Sequence, residues 1–191
     1  MSPGGGVQLS TARLCLSPNR DERPTGCGVD LLVIHNISLP PHEFGGPWIE
    51  DLFLNRLDPD AHPYFGEIHQ LQVSTHLLVR RDGELIQYVP LDQRAWHAGV
   101  SCFDDKEHCN DFSIGIELEG ADDIPYSDKQ YHSLATATRE IMTIYPAITP
   151  ERITGHSDIS PGRKTDPGPA FDWKRFYKEL EGKIGARRGL E

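Results

Sequence analysis

No Cys-x-x-Cys pair occurs among the four cysteines, Cys15, Cys27, Cys102 and Cys109. Without paired spacing they offer neither a zinc knuckle nor a disulfide frame, and they read as reduced, small apolar residues. Long apolar runs are missing too, and no window approaches the roughly 20 residues of a membrane-spanning helix. The opening Met1-Ser2-Pro3-Gly4-Gly5-Gly6 lacks the basic start and apolar stretch of a secretory leader, so a cytoplasmic location is expected. Basic charge is in deficit. Lys and Arg number 19 against 29 Asp and Glu, a formal charge of −10 over 191 residues. That balance argues against nucleic acid and against anionic polymer or membrane surfaces as partners. A small anionic ligand stays open, because a few local bases override an average. Repeats and interdomain linkers are also lacking, and the length suits one well-buried core.

What is there sorts into three parts. Residues 1–28 are rich in Pro, Gly and Arg without periodicity, which predicts an irregular N-terminal arm. Residues 29–181 carry the periodic segments of a single domain. From Gly182 the chain is charged and Gly-containing, so 182–191 is expected as a flexible tail.

Within the domain, residues 30–37 read as a buried strand built on Leu31-Leu32-Val33-Ile34. Pro47 suits the first turn of a helix, continued by Ile49, Leu52, Phe53, Arg56 and Leu57 on one side. Residues 58–69 are expected as a polar loop. Arg81-Asp82-Gly83 between residues 73–79 and 84–89 predicts a hairpin. In residues 113–119 a period of two puts Ile114, Ile116 and Leu118 on one face, and Ser113, Gly115, Glu117 and Glu119 on the other. Ser127 with Gln130 three residues on is a capping box opening a helix that Pro146 stops. A last amphipathic helix starts near Asp172. Strands interleaved with helices imply an α/β (α+β) layered domain.

The candidate chemistry centres on Thr154 to Pro169, read as one loop stiffened by Pro161 and Pro167-Gly168-Pro169. His156 and Asp166 in that loop are candidate zinc ligands, with His35 at the end of the first strand as a third. A catalytic zinc wants three protein ligands and one open position. Each residue has a plainer reading: His35 as a satisfied core histidine, Asp166 as a turn cap before Pro167. Glu117 is the candidate general base, with Glu119 as its rival on the same face, unless both are simply solvated. Lys164 offers charge for an oxyanion, or is a solvated loop lysine. Asn36 suits a substrate amide or a turn. Trp96 suits a ligand face or the core, and His97 and His76 are rival ligands. Ser113 and Ser157 lack a Gly-x-Ser-x-Gly setting, so serine hydrolysis is not supported.

Four segments in order carry a resemblance: residues 32–41, Arg94-Ala95-Trp96-His97-Ala98-Gly99, residues 110–120 and the 154–169 loop. Together they resemble the AmpD-type cytosolic 1,6-anhydro-N-acetylmuramyl-L-alanine amidases of cell-wall recycling, within the zinc-dependent N-acetylmuramoyl-L-alanine amidases of type 2. The likeness runs from about Ser17 to Trp173. It implies a mixed central β-sheet with helices packed on it, similar to peptidoglycan-recognition domains. It implies zinc on His35, His156 and Asp166, with Glu117 and Lys164 catalytic. Asn36, Trp96 and His97 fall in segments that line the substrate groove of relatives. The implied reaction cleaves the amide between anhydromuramic acid and L-alanine in a small soluble muropeptide; a monomer is expected. The chain departs from the pattern at Gln72, where relatives tend to carry an arginine, a change relevant to the peptide's far end. A non-catalytic muropeptide-binding module is the rival reading, which the complete ligand set disfavours. A lytic amidase of polymeric wall would want an export signal, a wall-binding appendage or a basic surface.

Overall fold

Residues 6–182 are described by the computed structural model. Its centre is one six-stranded sheet of β1 (Arg13–Leu14), β2 (Leu31–Ile37), β3 (Leu77–Val79), β4 (Leu85–Gln87), β5 (Ser113–Glu119) and β6 (Ile153–Gly155). The order is β1-β4-β3-β5-β2-β6, with the β3–β4 hairpin antiparallel and the other pairs parallel. The mixed sheet is the one expected. β2 lies between two parallel neighbours and is covered on both faces, which is why its sequence is a continuous apolar run rather than an alternation.

Among the described residues five α-helices flank the sheet: α1 (Trp48–Phe53), α2 (Pro63–Ile68), α3 (Asp128–Ile144), α4 (His156–Ile159) and α5 (Trp173–Glu181). On one face Leu32, Ile34, Ile114, Ile116 and Leu118 pack with α3 and α5 in the main core. The opposite face carries two smaller cores. Leu78 and Ile86 meet α1 and α2 in one, while Leu31 and Val33 meet Phe112 and Ile159 in the other. The polar side of β5 and the side chain of His35 open between these two cores.

The signals for α3 act as expected. Ser127 Oγ accepts from the Gln130 N–H, the Gln130 side chain accepts from the Ser127 N–H, and the helix ends at Ile144. Asp172 caps α5 by accepting from the Arg175 N–H at 2.9 Å. Gly83 takes φ +89° in the hairpin turn, a conformation open to glycine at little cost.

Four expectations change. The polar loop at 58–69 contains α2, where the His62 side chain accepts from the Tyr64 N–H and Pro63 occupies the first turn. The loop starting at Thr154 opens instead with strand β6 and the helical turn α4. Residues 73–76 leave the β3 ladder, because Ser74 N–H turns to the Trp96 carbonyl and Thr75 Oγ1 to the Gly115 carbonyl. The N-terminal arm is tied in: β1 pairs with β4, Leu9 is buried, and Ser17 and Asn19 are sealed against Phe53. Apart from Gly182, the expected tail lies outside the described residues.

Candidate active site

Strand register assembles the centre. His35 of β2 stands directly beside Glu117 of β5, and on the other side Ile34 stands beside Gly155 of β6. His156 follows Gly155 at once, so the carboxyl ends of three adjacent parallel strands present His156, His35 and Glu117 in a row. Ligand sites in open sheets form at such ends.

The chain returns to bring Asp166 to the row. Ser157 N–H donates to the Asp166 carbonyl at 2.9 Å, and the next carbonyl, that of Pro167, accepts from Tyr126 Oη at 2.8 Å and Asn36 Nδ2 at 3.1 Å. Asn36 also donates to Asp122 Oδ1 at 2.7 Å. Its amide nitrogen is thus spent on holding this loop, which leaves only Oδ1 for a ligand.

Three electron-rich atoms then meet. His35 Nδ1 and His156 Nδ1 are 3.0 Å apart, and each is 3.1 Å from Asp166 Oδ2. Both imidazoles are almost wholly buried. His156 Nε2 lies 3.1 Å from the Ala98 carbonyl, which only accepts, and 3.4 Å from Arg163 Nη2, which donates to that same carbonyl at 2.7 Å; the nearer carbonyl places the proton on Nε2 and leaves Nδ1 bare. Burial, against the pull of Asp166, lowers the His35 pKa to about 4. A bare nitrogen beside a carboxylate oxygen repels it unless a cation or proton stands between. Two neutral imidazoles and one carboxylate converging on a point suit zinc. Tetrahedral bonds of about 2.0–2.2 Å set ligand atoms about 3.3–3.6 Å apart, so slight widening of this triangle would accommodate the ion.

Glu117 faces the same space. Its Oε2 is buried and among the described residues has no hydrogen-bond partner, and burial, then the Asp166 charge, pushes its pKa well up against the pull of Lys164. Glu119, the rival, is occupied elsewhere: it accepts from Gly45 N–H at 2.7 Å and Arg81 N–H at 3.0 Å, and pairs with Arg80. His76 is no part of the triangle. Its Nδ1 accepts from Gly115 N–H at 3.0 Å and its Nε2 meets the Gln93 carbonyl at 3.0 Å.

A groove of about 370 Å³ runs over these groups, bordered by Asn36, Trp96, His97, Glu117, Lys164 and Asp166, with an apolar wall from α1 and α2. Trp96, on the groove's border, is fixed through Nε1 to Asp21 Oδ1 at 3.2 Å. Lys164 is exposed at its mouth. Gln72 is exposed between Leu71 and Val73, both of which line the groove. Sequence reasoning missed Ala98, Asp122 and Tyr126. A backbone acceptor such as the Ala98 carbonyl leaves no mark in a sequence, and the other two act across long separations.

Residues 25–169 match the family N-acetylmuramoyl-L-alanine amidase. The chain belongs to that family. This amidase is 61% identical to the 1,6-anhydro-N-acetylmuramyl-L-alanine amidase AmpD of Escherichia coli (strain K12), over 88% of this chain and 91% of the relative. The crystal structure of a Se-Met AmpD derivative superposes with a TM-score of 0.88 at 58% identity, covering 91% of this chain and 96% of that one. A more distant neighbour is the amidase AmiD from E. coli, solved with anhydro-N-acetylmuramic acid-L-Ala-D-γ-Glu-L-Lys. It gives a TM-score of 0.58 at 28% identity, over 83% of this chain and 60% of that one. The amidase is therefore an AmpD-type enzyme by sequence and by fold.

Proposed function

We propose that this amidase hydrolyses the amide between 1,6-anhydro-N-acetylmuramic acid and the L-alanine of a stem peptide, in muropeptide recycling, using zinc held by His35, His156 and Asp166. The observation that carries the reading is the convergence of three electron-rich atoms beside a carboxylate oxygen that lacks any partner. The names of the AmpD and AmiD relatives supply the substrate class.

Zinc bound there supplies Lewis acidity, which polarises a carbonyl and eases deprotonation of water. The chain's own residues do the rest. Glu117 takes a proton from the attacking water, and its raised pKa suits it to hold that proton until it passes to the departing alanine nitrogen. A C–O bond forms, the C–N bond breaks, and a free lactyl carboxyl and a free peptide amine result. Lys164 offers its ammonium at the groove mouth to the oxyanion. Trp96 and His97 border the sugar or peptide, and Asn36 contributes at most its Oδ1.

The enzyme is proposed to act as a cytoplasmic monomer on soluble substrate. Unpaired thiols, with Cys102 exposed, suit a reducing compartment, and among the described residues no helix is long and apolar enough to cross a membrane. The test is mass-spectrometric product analysis with purified anhydromuramyl-tripeptide, with and without chelator and with zinc returned. Release of free tripeptide, lost on chelation and restored by zinc, is expected. Intact substrate in the presence of stoichiometric bound zinc would sink the assignment.

A further inference from the structure

A histidine binds a metal only through a nitrogen that carries no proton, so something must decide which nitrogen that is. For His156 the Ala98 carbonyl decides. For His35 a chain of contacts does, and it can be followed from its fixed end.

Ser113 Oγ donates to the Cys109 carbonyl at 2.6 Å, an acceptor with no proton to return. With its one hydrogen committed, Ser113 Oγ can only accept from His97 Nε2, 3.2 Å away. The proton of neutral His97 therefore sits on Nε2, and its Nδ1 is bare. That Nδ1 lies 2.9 Å from His35 Nε2 and must accept from it. His35 consequently carries its proton on Nε2 and turns a bare Nδ1 into the triangle with His156 and Asp166.

The ring of His97 is held for this task. It packs against Gly115, where a Cβ would come within 2.6 Å of Cγ and Nδ1. Asn110 Oδ1 accepts from the N–H groups of both His97 and Ala98, at 3.1 and 2.8 Å. A single pinned dipeptide thus sets the tautomers of both imidazoles: His97 through its side chain for His35, Ala98 through its carbonyl for His156.

We propose that His97, oriented by Ser113 and Asn110, is a positioning residue of the metal centre that fixes the zinc-binding tautomer of His35. This rests on the reading of His35 as a zinc ligand and adds the device that prepares it. It also gives a physical reason for Ser113, a serine with no part in nucleophilic chemistry here, on the strand face that carries Glu117.

The experiment measures zinc affinity by competition with a chromophoric chelator, and imidazole tautomers by ¹⁵N NMR on histidine-labelled, zinc-free protein. It compares wild type, His97→Phe, His97→Asn and Ser113→Ala. Wild-type His35 is expected with its proton on Nε2. His97→Phe removes the acceptor, so zinc affinity should fall roughly 10–100-fold, with His35 shifting toward the Nδ1-protonated form. His97→Asn places an amide oxygen near the lost Nδ1 and should recover most of that loss. Ser113→Ala leaves the ring in place and reads the device even if His97→Phe fails to fold; a severalfold loss with a mixed His97 tautomer is expected. Wild-type affinity and an unchanged His35 tautomer in Ser113→Ala and in folded His97→Phe would overturn the proposal while leaving the zinc ligands standing. Failure of the wild-type chain to bind zinc would overturn the ligand reading itself, and this proposal with it.

Discussion

Glu117 and Glu119 lie two residues apart on the same face of β5, and their surroundings could hardly differ more. At one end of that face Glu119 is 2% exposed, yet both its oxygens are answered by two backbone N–H groups and the Arg80 guanidinium. Glu117 meets the triangle of His35, His156 and Asp166 and a groove, and among the described residues its Oε2 has no partner. Burial alone does not separate a structural acid from a chemical one. The separation lies in whether the fold supplies donors, since an unanswered buried carboxylate is costly and an answered one is held in place.

That contrast can be broken. The largest effect is expected from Glu117→Gln, with kcat/KM falling by roughly 10²–10⁴ while the melting temperature holds or rises slightly, because an unpartnered acid is removed. Near-full turnover by zinc-loaded Glu117→Gln would erase the distinction. Zinc itself gives the next effect. A ligand bound only by the folded chain at a thousand times its Kd stabilises by about 4 kcal/mol. Thermal unfolding with zinc or chelator should show this gain in wild type, Glu117→Gln and Glu119→Gln, and lose most of it in Asp166→Asn.

Glu119→Gln is the mirror test. It should lower stability by about 1–3 kcal/mol in denaturant titrations, since Arg80 and two N–H donors lose an anionic partner. Turnover per folded molecule should change little. The smallest effect concerns His76, which backs the Gly115 end of the same strand. Burial and the Arg23 charge lower its pKa to about 3 in the fold, against about 6.5 when unfolded. The unfolded chain therefore takes the proton first, and stability is full above about pH 6.5 and declines below it. By pH 6 this costs roughly 1 kcal/mol. His76→Gln should flatten that part of the stability profile measured between pH 7 and pH 6.

How much of this was legible in sequence depends on element length and on who supplies the partner. Strand β5 runs over the expected Ser113–Glu119, and α3 obeys its capping box, because seven alternating residues or a 17-residue periodic helix carry their own signal. The short elements α2, α4 and β6 do not, since one or two turns or three strand residues are held by tertiary contacts rather than by local preference. The polar face of β5 was readable as a face, but not which glutamate on it would find donors. Gly45 and Arg81 reach Glu119 from loops that no pattern links to it. His35, His156 and Asp166 could be named as candidate ligands from the residues, but only the resemblance singled them out as one set, because their meeting depends on parallel register across 121 residues of separation.

That register has a consequence in time. β2 is complete by residue 37, yet its two neighbours in the sheet are β5 and β6, which end at residues 119 and 155. At a synthesis rate of roughly 5–20 residues per second, an emerging chain waits about 4–16 s for the first neighbour and about 6–24 s for the second. Through that interval Leu31-Leu32-Val33-Ile34 is an unpaired, fully apolar β-prone segment, the type most exposed to pairing with another chain. The strand that carries the first proposed zinc ligand is thus a part of the protein that needs protection while it is being made.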